Sequence, residues 1–232
     1  GSSLADATRY MRVLEISADT HQTEGAAVVL SAPKGVTNAL SLLCEQAQRG
    51  ADYGELFAKL NMTLNGIADD LNKSLDNFSY QPLSEFITEK LALLEQQLKG
   101  IALLKICPDQ ITASILSLGE YVSVRIFSEI LNAKGINNNI IDPVDCIVAH
   151  GDYLDSIADL SASKARFADV DTSGSSLIIM PGFVAVNELG EKVTLGRNGS
   201  DYSAAILAAC IDASCCEIWT DVDGVYNADP NQ

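Results

Sequence analysis

Residues 25–50 read GAAVVLSAPKGVTNALSLLCEQAQRG, and their pattern decides the fold. Ala26 to Leu30 is a short apolar run rich in β-branched residues. It predicts a strand buried on both faces, as in a parallel sheet. Ser31-Ala32-Pro33-Lys34-Gly35 is a turn of small residues, and from Thr37 onward apolar residues recur at helical spacing. Upstream, the stretch from Ala5 to Ile16 reads as a helix.

The strand, turn and helix recur downstream. SSLIIMPGFVAV (175–186) holds a buried strand, about Leu177 to Met180, that breaks at Pro181-Gly182. INNNIIDPVDCIV (136–148) contains a short strand at Ile140 and Ile141. VTLGRNGSDYSAAILAAC (193–210) is strand, glycine loop and helix. CCEIWTDVDGVYNADPNQ predicts a strand through Ile218 and Trp219, then an aspartate-rich turn. SILSLGEYVSVRIFSEILNAKG (114–135) is a helix interrupted near Gly119 and ended by Gly135. Strands alternating with helices imply right-handed crossovers and a mainly parallel sheet with helices on both faces.

The middle third departs from this pattern. Leu56, Leu60, Leu64, Ile67 and Leu71 recur at helical spacing, as do Ile87, Leu91, Leu94, Leu98 and Ile101. Between them DNFSYQP supplies Pro82 as a breaker. The reading is a helical hairpin over about 52–105, inserted into or laid over a single α/β domain that spans 1–232.

Composition narrows the function classes. Of 232 residues, 31 are acidic and 15 basic, a net charge of −16. Such a field repels phosphate backbones and argues against nucleic-acid binding. Any anionic ligand needs a local pocket of positive potential. No apolar run approaches the ~20 residues that span a bilayer. Cys44, Cys107, Cys146, Cys210, Cys215 and Cys216 show no CxxC pair, and the only histidines are His21 and His150. Buried free thiols in a reducing cytosol are expected, and no metal site.

Parallel sheets bind ligands beyond the carboxyl ends of their strands, so the loops that follow strands are the candidates. Gly196 and Gly199 allow positive φ and close backbone approach. Ser200 and Asp201 are both good N-cap residues for the helix that follows. A helix start exposes N–H groups to an anion, and Arg197 adds a planar fork suited to a carboxylate. Taken alone, the loop is equally an ordinary cap with a surface arginine. Glu120 accepts a hydrogen bond from an ammonium if it faces the same crevice, so that with Arg197 it suits a zwitterion. Thr37 offers a hydroxyl at its own helix start. Thr220, Asp221 and Tyr226 suit ribose and ring contacts. DVDG invites a calcium reading but lacks the closing glutamate of such loops, and Asp223-Gly224 reads as a plain turn.

SAPKGVTN, SLGEYVS, PGF, LGRNGSDYSAA and EIWTDVDGVYNADP occur together and in order. This set resembles the aspartokinase branch of the amino-acid kinase family, in particular the N-terminal kinase portion of bifunctional aspartokinase–homoserine dehydrogenases. The resemblance implies a three-layer α/β/α sandwich. It implies transfer of the ATP γ-phosphoryl group, with Mg²⁺ carried by ATP, to the side-chain carboxylate of L-aspartate. By the same resemblance Arg197 grips the substrate carboxylate, and Thr37, Glu120, Phe183 and Ser200 line the aspartate site. Asp201 is the catalytic aspartate, while Gly1, Ser2, Thr220, Asp221 and Tyr226 lie on the nucleotide side.

The chain departs from the family at its ends. Gly1-Ser2-Ser3 matches only the tail of the family's first-strand Lys-Phe-Gly-Gly-Thr/Ser-Ser, so the phosphate-bridging lysine is absent, and Asn231 stands where relatives often carry arginine. The resemblance therefore implies truncation at both ends, with weakened turnover. Regulatory and dehydrogenase portions, the latter alone using NADP, are expected outside this segment. A homo-oligomeric, cytoplasmic full-length protein is implied. The alternatives are another amino-acid kinase and a non-catalytic ligand-binding fragment.

Overall fold

The computed structural model describes residues 4–168, 170–171 and 176–220. Helix α1 (Ala7–Glu24) starts at Asp6, whose carboxylate accepts from the Arg9 N–H at 3.0 Å. It runs past the expected end at Ile16 until Gly25, at φ 78°, stops it. Strand β1 (Ala27–Leu30) leads into α2 (Val36–Arg49). The helical hairpin follows as α3 (Gly54–Ser74) and α4 (Tyr80–Leu104). Pro82 is not the breaker. It sits in the first turn of α4, where a missing N–H costs nothing. Leu60, Leu64, Ile67 and Leu71 of α3 and Leu83, Ile87, Leu94 and Leu98 of α4 are all buried. The hairpin packs on α2.

α5 (Asp109–Leu116) and α6 (Leu118–Ala133) meet at Ser117, so the interruption falls two residues before Gly119. Gly135, at φ 69°, closes α6 as expected. β2 (Asn138–Ile140) ends one residue early, because Asp142 caps α7 (Pro143–Cys146) through the Val144 N–H at 3.2 Å. An antiparallel hairpin, β3 (Ala149–Asp152) and β4 (Asp155–Ala158), precedes α8 (Leu160–Phe167). β5 (Leu177–Pro181) is followed by β6 (Val184–Val186), β7 (Lys192–Thr194) and α9 (Gly199–Cys210).

Among the described residues the main sheet has the order β1-β5-β2 and is parallel throughout. Every residue of β5 is buried. Leu177 and Ile179 join one hydrophobic cluster, with Leu30 and the residues of α1 to α6. Ile178 and Met180 join another, with Phe167, Ile206 and Leu207. Alternate side chains therefore feed opposite layers, which is the three-layer α/β/α arrangement. β1 is only half-buried. It lies at the edge of the described sheet, so the expectation of burial on both faces holds for β5 and fails for β1.

Two further expectations are corrected. The strand at Val193 does not join the parallel sheet; β7 pairs antiparallel with β6. Residues 215–220 form no strand, and Ile218 and Trp219 are 48% and 58% exposed. Without that strand to bury them, Cys215 and Cys216 are exposed rather than buried, while Cys44, Cys146 and Cys210 are buried and Cys107 is intermediate. Among the described residues no helix is long and apolar enough to cross a membrane.

Because β5 is the strand both layers share, Ile179→Ala should cost roughly 2–5 kcal/mol of unfolding free energy. Leu103→Ala on exposed α4 surface should change it by less than about 0.5 kcal/mol. Urea denaturation of the two variants checks the contrast.

Candidate functional site

The carboxyl ends of β1 and β5 are tied together first. The Gly182 N–H donates to the Leu30 carbonyl at 3.0 Å, which holds the Pro181-Gly182-Phe183 turn beside the end of β1. The first turn of α9 presses on this turn. A Cβ on Gly182 would lie 2.7 Å from the Ser200 Cβ, and one on Gly199 would lie 2.6 Å from Phe183 Cδ2. Both glycines are thus required by close approach.

Phe183 adopts φ 68°, a left-handed conformation that costs a bulky residue roughly 1–3 kcal/mol. The surroundings hold it there. Its N–H donates to Ser203 Oγ at 2.9 Å, and Ser203 donates in turn to the Gly199 carbonyl at 2.9 Å. Its carbonyl accepts from the Leu195 N–H at 2.8 Å.

α6 packs on the turn that follows β1. A Cβ on Gly119 would stand 2.5 Å from the Ala32 Cβ and 2.9 Å from Val36 Cγ1. The glycine expected to break a helix instead lets α6 rest on the turn between β1 and α2. This contact brings Glu120 to the Ala32 N–H, which donates to its carboxylate. Thr37 follows Val36 in the first turn of α2 and is half-buried. Glu120 is only 3% exposed, and its Oε2 has no hydrogen-bond partner among the described residues. Burial pushes its carboxyl up to about 8, against the pull of its own N–H and that of Ala32.

Arg197 is exposed and makes no ion pair among the described residues. Gly196 at φ 71° and Asn198 at φ 59° shape its turn, closed by the Gly199 N–H to the Gly196 carbonyl at 3.1 Å. The N-cap of α9 is Asn198, without a side-chain hydrogen bond, and not Ser200 or Asp201. Those two lie inside the first turn, because Gly199 packed on Phe183 starts the helix early. The first-turn amides are left without a side-chain cap, which suits them to an anion. Ser200 is half-buried and Asp201 exposed. Thr220 is exposed at the end of a segment that passes Asp201; burial, Cys215 and then the charge of Asp201 raise the Cys216 thiol. Gly1, Ser2, Asp221 and Tyr226, with the Asp223-Gly224 turn and Asn231, lie outside the described residues.

Sequence reasoning missed the supports. Tyr10 OH and Ser123 Oγ form a fully buried hydrogen bond of 2.7 Å one turn along α6 from Glu120, whose charge acts on Tyr10. A serine and a tyrosine inside apolar helical stripes are the available signal. The β3–β4 hairpin backs the glycine loop. The Thr194 N–H donates to the Tyr153 carbonyl at 2.8 Å, and Asp155 fills the space a Cβ on Gly196 would need. Among the described residues no group of three or more His, Cys, Asp or Glu is placed to hold a metal ion.

The turns after β1 and β5 both lie at the carboxyl ends of parallel strands, where α/β proteins bind their ligands. The chain belongs to the amino acid kinase family, whose model matches residues 1–232. It is 43% identical over its whole length to a bifunctional aspartokinase/homoserine dehydrogenase of Buchnera aphidicola subsp. Acyrthosiphon pisum (strain APS), of which it covers 29%. It is 32% identical to the lysine-sensitive aspartokinase 3 of Escherichia coli (strain K12), over 99% of this chain and 49% of that protein. Its fold is similar to the crystal structure of E. coli aspartokinase III in complex with aspartate and ADP (R-state). The TM-score is 0.87 at 28% identity, over 100% of this chain and 50% of that one. The chain spans half or less of the length of these relatives.

The Glu120 carboxyl makes stability depend on pH. With its folded value at about 8, above the ordinary 4.5, its contribution is complete below 4.5 and is lost as pH rises through 8. Glu120→Gln should therefore gain on the parent by several kcal/mol between pH 5 and 9. Urea unfolding at both pH values measures this, and a difference that does not change with pH would contradict it.

Proposed function

We propose that this chain is the catalytic domain of an aspartokinase, transferring the ATP γ-phosphoryl group to the side-chain carboxylate of L-aspartate to give 4-phospho-L-aspartate. The observation that carries the reading is the buried Glu120 carboxyl beside the end of β1, one oxygen of which has no partner among the described residues, together with an exposed Arg197 that makes no ion pair among them. A buried acceptor without a partner is costly unless a ligand completes it. An amino-acid substrate supplies what is missing: its ammonium for Glu120 and its carboxylate for Arg197. The family, and a structural relative solved with aspartate and ADP, support the same assignment.

On this reading Thr37, Phe183 and Ser200 line the aspartate site and fix its orientation. The substrate's side-chain carboxylate is already ionised, so attack on the γ-phosphorus needs alignment and charge neutralisation more than a strong base. Asp201, in the first turn of α9, orients the reacting groups, and the uncapped amides of that turn face developing phosphate charge. Thr220, Asp221 and Tyr226, with Gly1 and Ser2, belong to the nucleotide side. Mg²⁺ arrives with ATP, held by phosphates and water, and NADP concerns only a dehydrogenase portion outside this chain. The full-length protein is assigned as a cytoplasmic homo-oligomer that feeds amino-acid biosynthesis.

The test is hydroxamate formation with ATP–Mg²⁺, hydroxylamine and either L-aspartate or L-glutamate. Product from aspartate in clear preference supports the assignment. Preference for glutamate would point to another amino-acid kinase, and aspartate binding without product to a binding fragment. Arg197→Ala should weaken aspartate binding roughly tenfold to a hundredfold, the loss of a charge-assisted pair, and leave ADP binding nearly unchanged in calorimetry. Equal loss of both ligands would contradict the role given to Arg197.

A further inference from the structure

Two of the cysteines, outside the proposed substrate site, come together beside α2. Cys44 lies on α2, 4% exposed, within the larger hydrophobic cluster. Cys107 lies between α4 and α5, half-buried and packed against the same cluster. α2 contacts both α4 and α5, so the linker carrying Cys107 runs beside it. The Cys107 thiol is near enough to Cys44 to act on it directly. Thr112 Oγ1 lies 3.1 Å from the Cys107 sulfur and steadies it. The reading above gives neither cysteine a role.

We propose that Cys44 and Cys107 are a modification site, a dithiol that takes a reversible intramolecular disulfide and staples the α3–α4 hairpin to α2. The bond would close a loop of roughly sixty residues that contains the whole hairpin, a length at which a cross-link removes substantial entropy from the unfolded chain. This inference does not depend on the proposed function.

The chemistry balances with a low-molecular-weight disulfide as oxidant. The more accessible Cys107 thiolate attacks one sulfur of oxidised glutathione, breaking its S–S bond and releasing a glutathione thiolate. The Cys44 thiolate then attacks the Cys107 sulfur of the mixed disulfide and expels the second glutathione. The protein loses two electrons and two protons, and the oxidant becomes two glutathione thiols. Burial, with Cys107 beside it, pushes the Cys44 thiol up to about 12, so the second step limits the rate and quickens as pH rises.

The experiment uses the full 232-residue chain with Cys215→Ser and Cys216→Ser, which removes the exposed pair as competitors. It is incubated with oxidised glutathione at pH 7.5 and 9, quenched with N-ethylmaleimide and digested with trypsin. The expected product joins the peptide 35–49, which carries Cys44, to 106–125, which carries Cys107, and forms faster at pH 9. The melting temperature should rise by roughly 5–15 °C and fall back on reduction with dithiothreitol. Cys107→Ala, at a half-buried site, should fold and lose both the cross-link and the rise. Recovery of 35–49 and 106–125 only as alkylated or glutathionylated peptides from a folded chain would overturn the proposal. So would a cross-link that forms without any thermal gain.

Discussion

The contact between Gly119 and Ala32 is the constraint on which the site depends. The helix that supplies the buried glutamate has to touch the turn at the end of β1, and only a residue without a Cβ lets it come that close. From that contact follow the burial of Glu120, the bond from the Ala32 N–H and the orphaned carboxylate oxygen. The Tyr10–Ser123 bond, two fully buried groups from helices far apart in sequence, pins α1 to α6 one turn away. The arrangement costs stability as pH rises, because burial opposes the charged form of the carboxyl. Such strain is common where a ligand completes the structure.

The turn after β5 follows the same logic with different residues. Gly182 and Gly199 let the turn after β5 and the start of α9 interpenetrate, and Phe183 is held at positive φ by Ser203 and Leu195. Close approaches at Gly119, Gly182 and Gly199 therefore set how the turns after β1 and β5 meet the helices beside them. The hydrophobic layers behind them, split by the alternation of β5, hold these elements in place.

Much of this was legible in the sequence, for identifiable reasons. The runs at 26–30 and 177–180 are apolar and bounded by small-residue turns, and the apolar residues of the hairpin recur regularly at helical spacing, so their elements could be read with small boundary shifts. The short antiparallel pairs were not legible. Ala149–Asp152 reads AHGD and Asp155–Ala158 reads DSIA, with neither the length nor the alternation that marks a strand. Helix ends depended on tertiary contacts: Pro82 falls inside a first turn, and Gly199 rather than Ser200 begins α9. The strand through Ile218 had the composition but no pairing among the described residues. At the site, loops following strands pointed to Thr37, Phe183 and the glycine loop. The depth of Glu120 and the supports from Tyr10, Ser123, Ser203 and Asp155 are products of packing that no local pattern records.

The central claim is that the buried Glu120 carboxyl receives the ammonium of the amino-acid substrate. At pH 7 that carboxyl is mostly protonated in the empty protein, its value lying at about 8, and an ammonium placed beside it would drive it to ionise. Titration calorimetry of L-aspartate at pH 7, repeated in buffers of different ionisation enthalpy, counts the protons exchanged. The account predicts release of close to one proton per aspartate bound by the parent chain, and none by Glu120→Gln. Binding with no dependence on buffer in the parent, or with the same dependence in the variant, would contradict it.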